Sequence, residues 1–325
     1  VRGLYTIFRK ELSDHLISWR GIILFAVALL VTIIAIYGPS GALVNIRAEL
    51  AEPTQYGATE FVFLKLFTTS GEGYYPFIWF ISMILVPIIG VTLGFDAING
   101  ERSNGTLSRL MAQPVYRDTI FNAKFLAGIV TMVVMLATII LLVAGLGMRV
   151  IGVPPSSEEV VRLFLFLVLT TLYGAFWLGL SMLFSVFFRR VATSAMAGIA
   201  IWVFFFLYTF TSFIPYAIGN AVAPVGESAT TEELLRNASV QVTAARVSPL
   251  QLYRESMYVL LAPGQRTATE YLQIYASGAE WMPGALPLDQ TLVTIWPNLV
   301  AFVALAAVCF GVSYYRFTRE EIRAT

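Results

Sequence analysis

The chain has 325 residues, of which 58% are hydrophobic and 13% charged, with a mean hydropathy of +0.75 and a net charge of +1. Soluble domains carry about 25% charged residues, so the composition excludes a soluble fold, and the near-neutral balance gives no electrostatic reason to bind nucleic acid. A single cysteine, Cys309, and a single histidine, His15, exclude disulfide and thiolate-metal frameworks and most histidine-dependent catalysis.

Residues 4–19 place Leu4, Ile7, Phe8, Leu12, Leu16 and Trp19 at helical spacing on one face, with Arg9, Lys10, Ser13 and Asp14 on the other. Such a helix lies along a membrane surface, either as an anchor that sets orientation or as a lever gripped by a partner. Gly21–Tyr37 then runs uncharged for 17 residues. That exceeds the ~7–15 residues of a signal-peptide core, so it reads as a first span and not as a cleaved leader. Phe61–Phe67, apolar apart from Lys65, reads as an interfacial segment of the next loop. The uncharged stretches Gly73–Phe95, Phe125–Met148, Leu163–Phe188 and Gln290–Tyr315 run for 23, 24, 26 and 26 residues. Each meets the ~20 residues that a bilayer helix needs. Val191–Gly226 is uncharged for 36 residues, and Pro215 and Pro224 end its spanning helix early. Arg189-Arg190 separates the fourth and fifth spans, which therefore form a tight hairpin.

The loop after the second span, residues 96–124, is polar and basic. Asn104-Gly105 marks a turn, Thr106 caps a short helix and Pro114 stops it, so a stub presents Leu107, Leu110 and Met111. A short helix with an apolar face needs a cover, supplied either by another protein or by the base of the bundle. Gly100-x4-Gly105 imitates a phosphate-binding loop, but Thr106 stands where the lysine belongs and a membrane helix precedes it. After the fifth span, residues 215–289 exceed a structureless connector and offer three helix starts. Thr230-x-x-Glu233 opens a run to about Arg246. A capping box at Ser248-Pro249-Leu250-Gln251 opens one to about Leu261, and Thr267-x-x-Glu270 opens one that ends near Gly278. Asn237-Ala238-Ser239 matches a glycosylation sequon.

Arg and Lys positions set the orientation. Arg2, Arg9, Lys10 and Arg20, the basic residues of 96–124, Arg189-Arg190, and Arg316, Arg319 and Arg323 all fall on one side if both termini are cytoplasmic. The span interiors hold no Asp, Glu, Lys, Arg or His. An ion-coupled carrier needs a buried carboxylate, and an intramembrane protease needs paired aspartates or a histidine. Neither set is present, so no residue is a candidate for catalysis, cofactor binding or metal ligation. Ala175 with Gly179 and Ser194 with Gly198 form small-xxx-small pairs, which suit helix packing within one chain or between two. A membrane path without its own energy source, with elements built to be gripped, points to a transporter subunit driven by a partner. A partner-independent channel or facilitator and a non-transporting assembly factor are the alternatives.

The order of elements resembles the membrane subunits of type-2 ABC exporters. The residues that carry the resemblance are Arg9-Lys10-Glu11-Leu12-Ser13-Asp14, Asp96-Ala97-Ile98 with Gly100-Glu101, Gly105-Thr106-Leu107, Pro114, Arg117 and Lys124. Ser248-Pro249-Leu250-Gln251-Leu252-Tyr253-Arg254 joins them, with Ser248 in place of the family's asparagine. The resemblance implies an all-α integral membrane protein of six transmembrane helices in a prokaryotic plasma membrane. Residues 1–20 form the connecting helix, 21–214 spans one to five, 215–289 an extracellular helical insertion, and 290–325 the sixth span and tail. It implies two permease copies, as a homodimer, each seated on an ATPase subunit that binds ATP and Mg. Residues 106–111 would be the coupling helix that enters the ATPase, with Glu101 and Arg117 bracing its ends and Arg9, Lys10 and Glu11 alongside. Trp202, Phe205 and Tyr208 would line the translocation path.

Overall fold

The computed structural model describes residues 2–37, 42–44, 46, 61–69, 77–106, 116–152, 154–226, 228–264, 267–277 and 285–319. All regular structure among them is helical. Among the described residues six helical segments are long and apolar enough to cross a membrane, at Trp19–Val44, Phe77–Ser103, Arg117–Arg149, Ser157–Phe187, Val191–Thr211 and Leu288–Arg319. They correspond to the six uncharged stretches of the sequence.

The chain divides into two compact units, residues 1–201 with 299–325, and residues 202–298. The first contains α1 (Arg2–Ile17), α2 (Trp19–Tyr37), α3 (Val62–Thr68), α4 (Phe77–Phe80), α5 (Val86–Gly94), α6 (Asn99–Ser103), α7 (Arg117–Ile151) and α8 (Ser157–Phe187). Its centre is the contact between the second span and α8. A side chain added at Gly90 would bring its Cβ to 2.6 Å from Trp177 Cβ, and one at Gly94 would meet the Leu178 carbonyl at 2.9 Å. These two glycines, one turn apart, let the backbones approach as closely as membrane helices can. Gly179 packs toward Cys309, and Gly198 toward Val91. Both small-residue pairs therefore have a member at a helix contact within the chain.

The second span is interrupted between α4 and α5 by a π-helical turn, Ile81–Leu85, closed by Val86 N–H donating to the Ile81 carbonyl. In that register the Ser82 carbonyl would take its hydrogen from residue 87, which is a proline. The buried Tyr173 hydroxyl of α8 donates to it instead, at 2.9 Å. Tyr173 also packs edge-on against Trp177 and Phe302.

The segment expected at a lipid interface is instead core. α3 buries Phe63, Leu64, Leu66 and Phe67. The Glu159 carboxylate draws it inward by accepting the Phe63 N–H at 2.9 Å, and Phe67 meets Phe166 edge-on at 5.4 Å. Ser156 and Glu159 form a capping box at the start of α8.

The second unit holds the ends of α9 (Val191–Thr211) and α14 (Leu288–Arg319) together with α10 (Phe213–Val222), α11 (Thr231–Ala245), α12 (Pro249–Leu261) and α13 (Ala268–Ser277). The Thr230–Glu233 and Thr267–Glu270 caps form with both reciprocal bonds. The Ser248 box does not form. Helix α12 starts at Pro249 as expected, but the Ser248 hydroxyl pairs with Thr209 Oγ1 at 2.8 Å and makes no capping bond. α9 ends at Thr211 before either proline acts, and Pro215 sits in the first turn of α10, a helix the sequence reading lacked. The sequon asparagine is not available to a glycan. Asn237 is 6% exposed, and its Nδ2 donates to the Ala223 carbonyl and to Asn220.

Candidate functional site: a charged joint at the base of the first unit

Helix α1 does more than lie on a surface. Ile7, with Leu4 and Phe8, packs against Ile120 and Ala123 in the first turns of α7. At 1.5 Å per residue, the 35 residues of α7 extend about 50 Å. That is longer than a ~30 Å hydrocarbon core, so this helix can carry charge near its start. Phe121 and Phe125 on the same turns pack against Phe310 of α14, with centroids 5.3 and 4.7 Å away.

One turn beyond Ile7, and one turn beyond Ile120, the two helices place Glu11 and Lys124. The Lys124 ammonium is 2.9 Å from Glu11 Oε1 and 2.7 Å from Glu101 Oε1. Its side chain is 5% exposed, against 11% and 16% for the two carboxylates. One buried cation thus joins α1, α6 and α7. Burial alone would raise the Glu11 pKa, but the charge and hydrogen bond of Lys124, helped by Lys10, outweigh it and hold the carboxyl below its usual range. Burial also works against the charge on Lys10, but Glu11 first, then Glu101 and Asp14, keep its pKa raised. His15, the chain's single histidine, has its pKa lowered chiefly by burial.

Helix α6 is fixed from behind by α8. Ser185 Oγ accepts from the backbone N–H of both Ile98 and Asn99, at 2.9 and 3.1 Å, and Asn99 reaches the Phe188 carbonyl at 3.4 Å. At the elbow between α1 and α2, Ser18 Oγ accepts the Gly21 N–H. The His15 carbonyl occupies the place where a Cβ on Gly21 would stand. Arg20 pairs with Asp96 and lies over the Phe95 ring at 5.6 Å.

Of the residues expected to dock an ATPase, Glu11, Glu101 and Lys10 meet at this joint, and Arg9 is exposed on α1. Gly105 turns the chain with φ +67°, and Thr106 Oγ1 donates to the Glu101 carbonyl at 3.2 Å. Arg117 opens α7. Leu107, Leu110, Met111 and Pro114 lie outside the described residues. The carboxylate of Glu101 is engaged by Lys124, which the sequence placed among the orienting charges and among the residues that carry the family resemblance, without a partner. Ser185, Asn99 and the Arg20–Asp96 pair were also missed. Their only local signal is polarity at a span's end, which any cytoplasmic terminus shares.

The residues expected to line the path stand on α9 in the second unit. Trp202 and Phe205 are half-buried, whereas Tyr208 is buried and its hydroxyl donates to the Ala244 carbonyl of α11 at 2.7 Å. The large apolar side chains that α9 exposes are Met196, Ile199, Val203, Phe204, Leu207 and Phe210.

Residues 5–322 match the model of a family described as ABC-2 family transporter protein. Over 211 residues the chain is 28% identical to the probable ABC transporter permease protein NosY of Pseudomonas aeruginosa, an alignment that covers 63% of this chain and 67% of that one.

Proposed function

We propose that this chain, which belongs to the ABC-2 family of transporter proteins, is the permease through which a separate ATPase subunit drives export. As a multi-pass membrane permease of an ABC transporter, it supplies the route across the membrane. ATP and Mg would bind in the partner. The membrane is a prokaryotic plasma membrane, and α1, the 96–124 loop and both termini face the cytoplasm, which the distribution of Arg and Lys supports.

The observation that carries the reading is the position of Lys124. Residues 107–115 would dock the ATPase, and they are flanked by α6 on one side and by α7 on the other. A push on that loop reaches Glu101 and then, through the Lys124 ammonium, both α1 and the base of the third span. Because the link is ionic and buried, its three members move together or the charge is left uncompensated. That is the property required of a coupling joint, and it makes rigid-body tilting of the spans the natural response.

Two copies would pair along apolar helix faces. Spans one and five are the candidates, since Ile23, Val27, Leu30, Phe204 and Leu207 are exposed in the single chain. Trp202, Phe205 and Tyr208 would then stand near the path, with Tyr208 fastening α9 to α11 at its head. The resemblance to type-2 exporter subunits supports the outward direction.

The test is co-purification with a soluble Walker-motif ATPase, followed by ATP-dependent flux in proteoliposomes. Leu107→Asp and Gly105→Pro should abolish association while the protein remains folded. Unchanged association in both variants sinks the docking assignment. ATP-independent flux from the chain alone would favour a facilitator, and a partner that does not hydrolyse ATP would favour an assembly factor.

A further inference from the structure

A cavity of about 440 Å³ opens beside the joint, bounded by α1, the Ser18–Gly21 elbow, the end of the second span and Lys124. Its charges do not balance. Among the described residues that line it, Glu11, Asp14, Asp96 and Glu101 contribute carboxylates, whereas only Lys10, Arg20 and Lys124 are cationic. Lys124 serves two carboxylates at once, and Glu101 Oε2 is buried without a hydrogen-bond partner. The interior therefore lacks one positive hydrogen-bond donor. At the rim the side chains of Lys10 and Arg20, 60% and 65% exposed, stand beside the equally exposed Asp14 and keep N–H groups turned to solvent that can meet an anion.

The wall is polar on the α1 side and apolar on the span side, where Leu24 and Leu93 carry it past the charged turn into the hydrophobic stretch. Beside it Trp19 is 79% exposed at the start of span one, and Ile23 and Val27 continue an apolar outer face. A basic side chain entering from the aqueous phase would have no use for the leucine wall. A lipid would use it for the glycerol region, with its chains laid along span one. We infer that this cavity receives the headgroup of an aminophospholipid, its primary ammonium placed among the carboxylates around Glu101 and its phosphate at Arg20 and Lys10. A trimethylated ammonium cannot donate the missing hydrogen bond, and a glycerol headgroup brings no cation.

The inference does not depend on coupling to an ATPase, and its test contains neither ATPase nor transport. The purified full chain in detergent is titrated with phosphatidylethanolamine, phosphatidylcholine or phosphatidylglycerol of identical acyl chains, and retained lipid is counted by native mass spectrometry. Phosphatidylethanolamine should bind about tenfold more tightly than either other lipid, the effect of one charge-assisted hydrogen bond. Glu101→Gln should erase that preference, and Leu24→Trp, which fills the wall and touches no charge, should lower occupancy by all three lipids. Equal retention of the three lipids by the unmodified chain overturns the inference, as does an intact preference in folded Glu101→Gln. If Glu101→Gln does not fold, undiminished occupancy in Leu24→Trp overturns it. Soluble phosphoethanolamine competing at equal concentration would transfer the site from a lipid to a free phosphoamine and overturn the lipid assignment.

Discussion

Replacing Lys124 by methionine keeps most of its volume and removes its charge. Glu11 and Glu101 would then stand side by side, 11% and 16% exposed, with the shared cation gone. Breaking a buried pair by removing one partner costs about 3–5 kcal/mol, and Lys10, still 3.2 Å from Glu11, offsets part of this. With an unfolding entropy of about 2.1 cal/mol/K per residue, 325 residues lose roughly 1.5 °C of Tm per kcal/mol. Lys124→Met should therefore lower Tm in detergent by roughly 4–7 °C. Glu11→Gln or Glu101→Gln alone leaves Lys124 one carboxylate and should cost much less than the double variant, which leaves a lone buried ammonium. Combining all three substitutions neutralises the joint and should recover much of the loss. Differential scanning fluorimetry on the five variants reads this directly. A Lys124→Met protein within about 1 °C of the unmodified chain, or single-variant costs that simply add up to the double, would refute the shared-cation reasoning.

Ser185→Ala should destabilise α6 by about 1–3 kcal/mol for each of the two N–H groups it orphans, and amide exchange at Ile98 and Asn99 should rise selectively. Tyr173→Phe deprives the Ser82 carbonyl of its donor beside Pro87, costing about 1–3 kcal/mol and measurable as a lower Tm. Gly90→Ala should destabilise despite alanine's helix preference, by about 1–3 kcal/mol of overpacking, because Trp177 Cβ stands 2.6 Å from the new atom. An unchanged Tm would refute the close crossing. Acidification should act in two windows. His15 has a folded pKa below its ordinary 6.5, so the unfolded chain takes the proton first and stability falls as pH drops below about 6.5. Burial drives this shift against the pull of Glu11, Asp96 and Asp14, with Lys124 assisting. Glu11, depressed below its ordinary 4.5, adds stability above that value which is lost as pH falls through its folded pKa. His15→Gln should flatten the first window of a Tm-against-pH curve and leave the second.

Much of this protein is legible along the chain because its controlling interactions are local or are made with lipid. A helix in hydrocarbon must satisfy its own backbone, so an uncharged run of sufficient length dictates a span whatever its neighbours, and all six were readable. The caps at Thr230 and Thr267 close within three residues and were readable for the same reason. Ser248 carries the same signal, but its hydroxyl was claimed by Thr209, 39 residues earlier. Asn237 carries a sequon and is spent on Ala223 and Asn220. The Phe61–Phe67 run is as apolar as an interfacial segment but is core, because Glu159 holds its first turn. Lys124 is the sharpest case. In the chain it is a basic residue at a span's start that fits the family pattern, and only the packing of α1 on α7 and of α6 on α8 brings two carboxylates to it. A side chain's hydropathy travels with the residue, whereas the partner of a buried charge is settled by which helices touch.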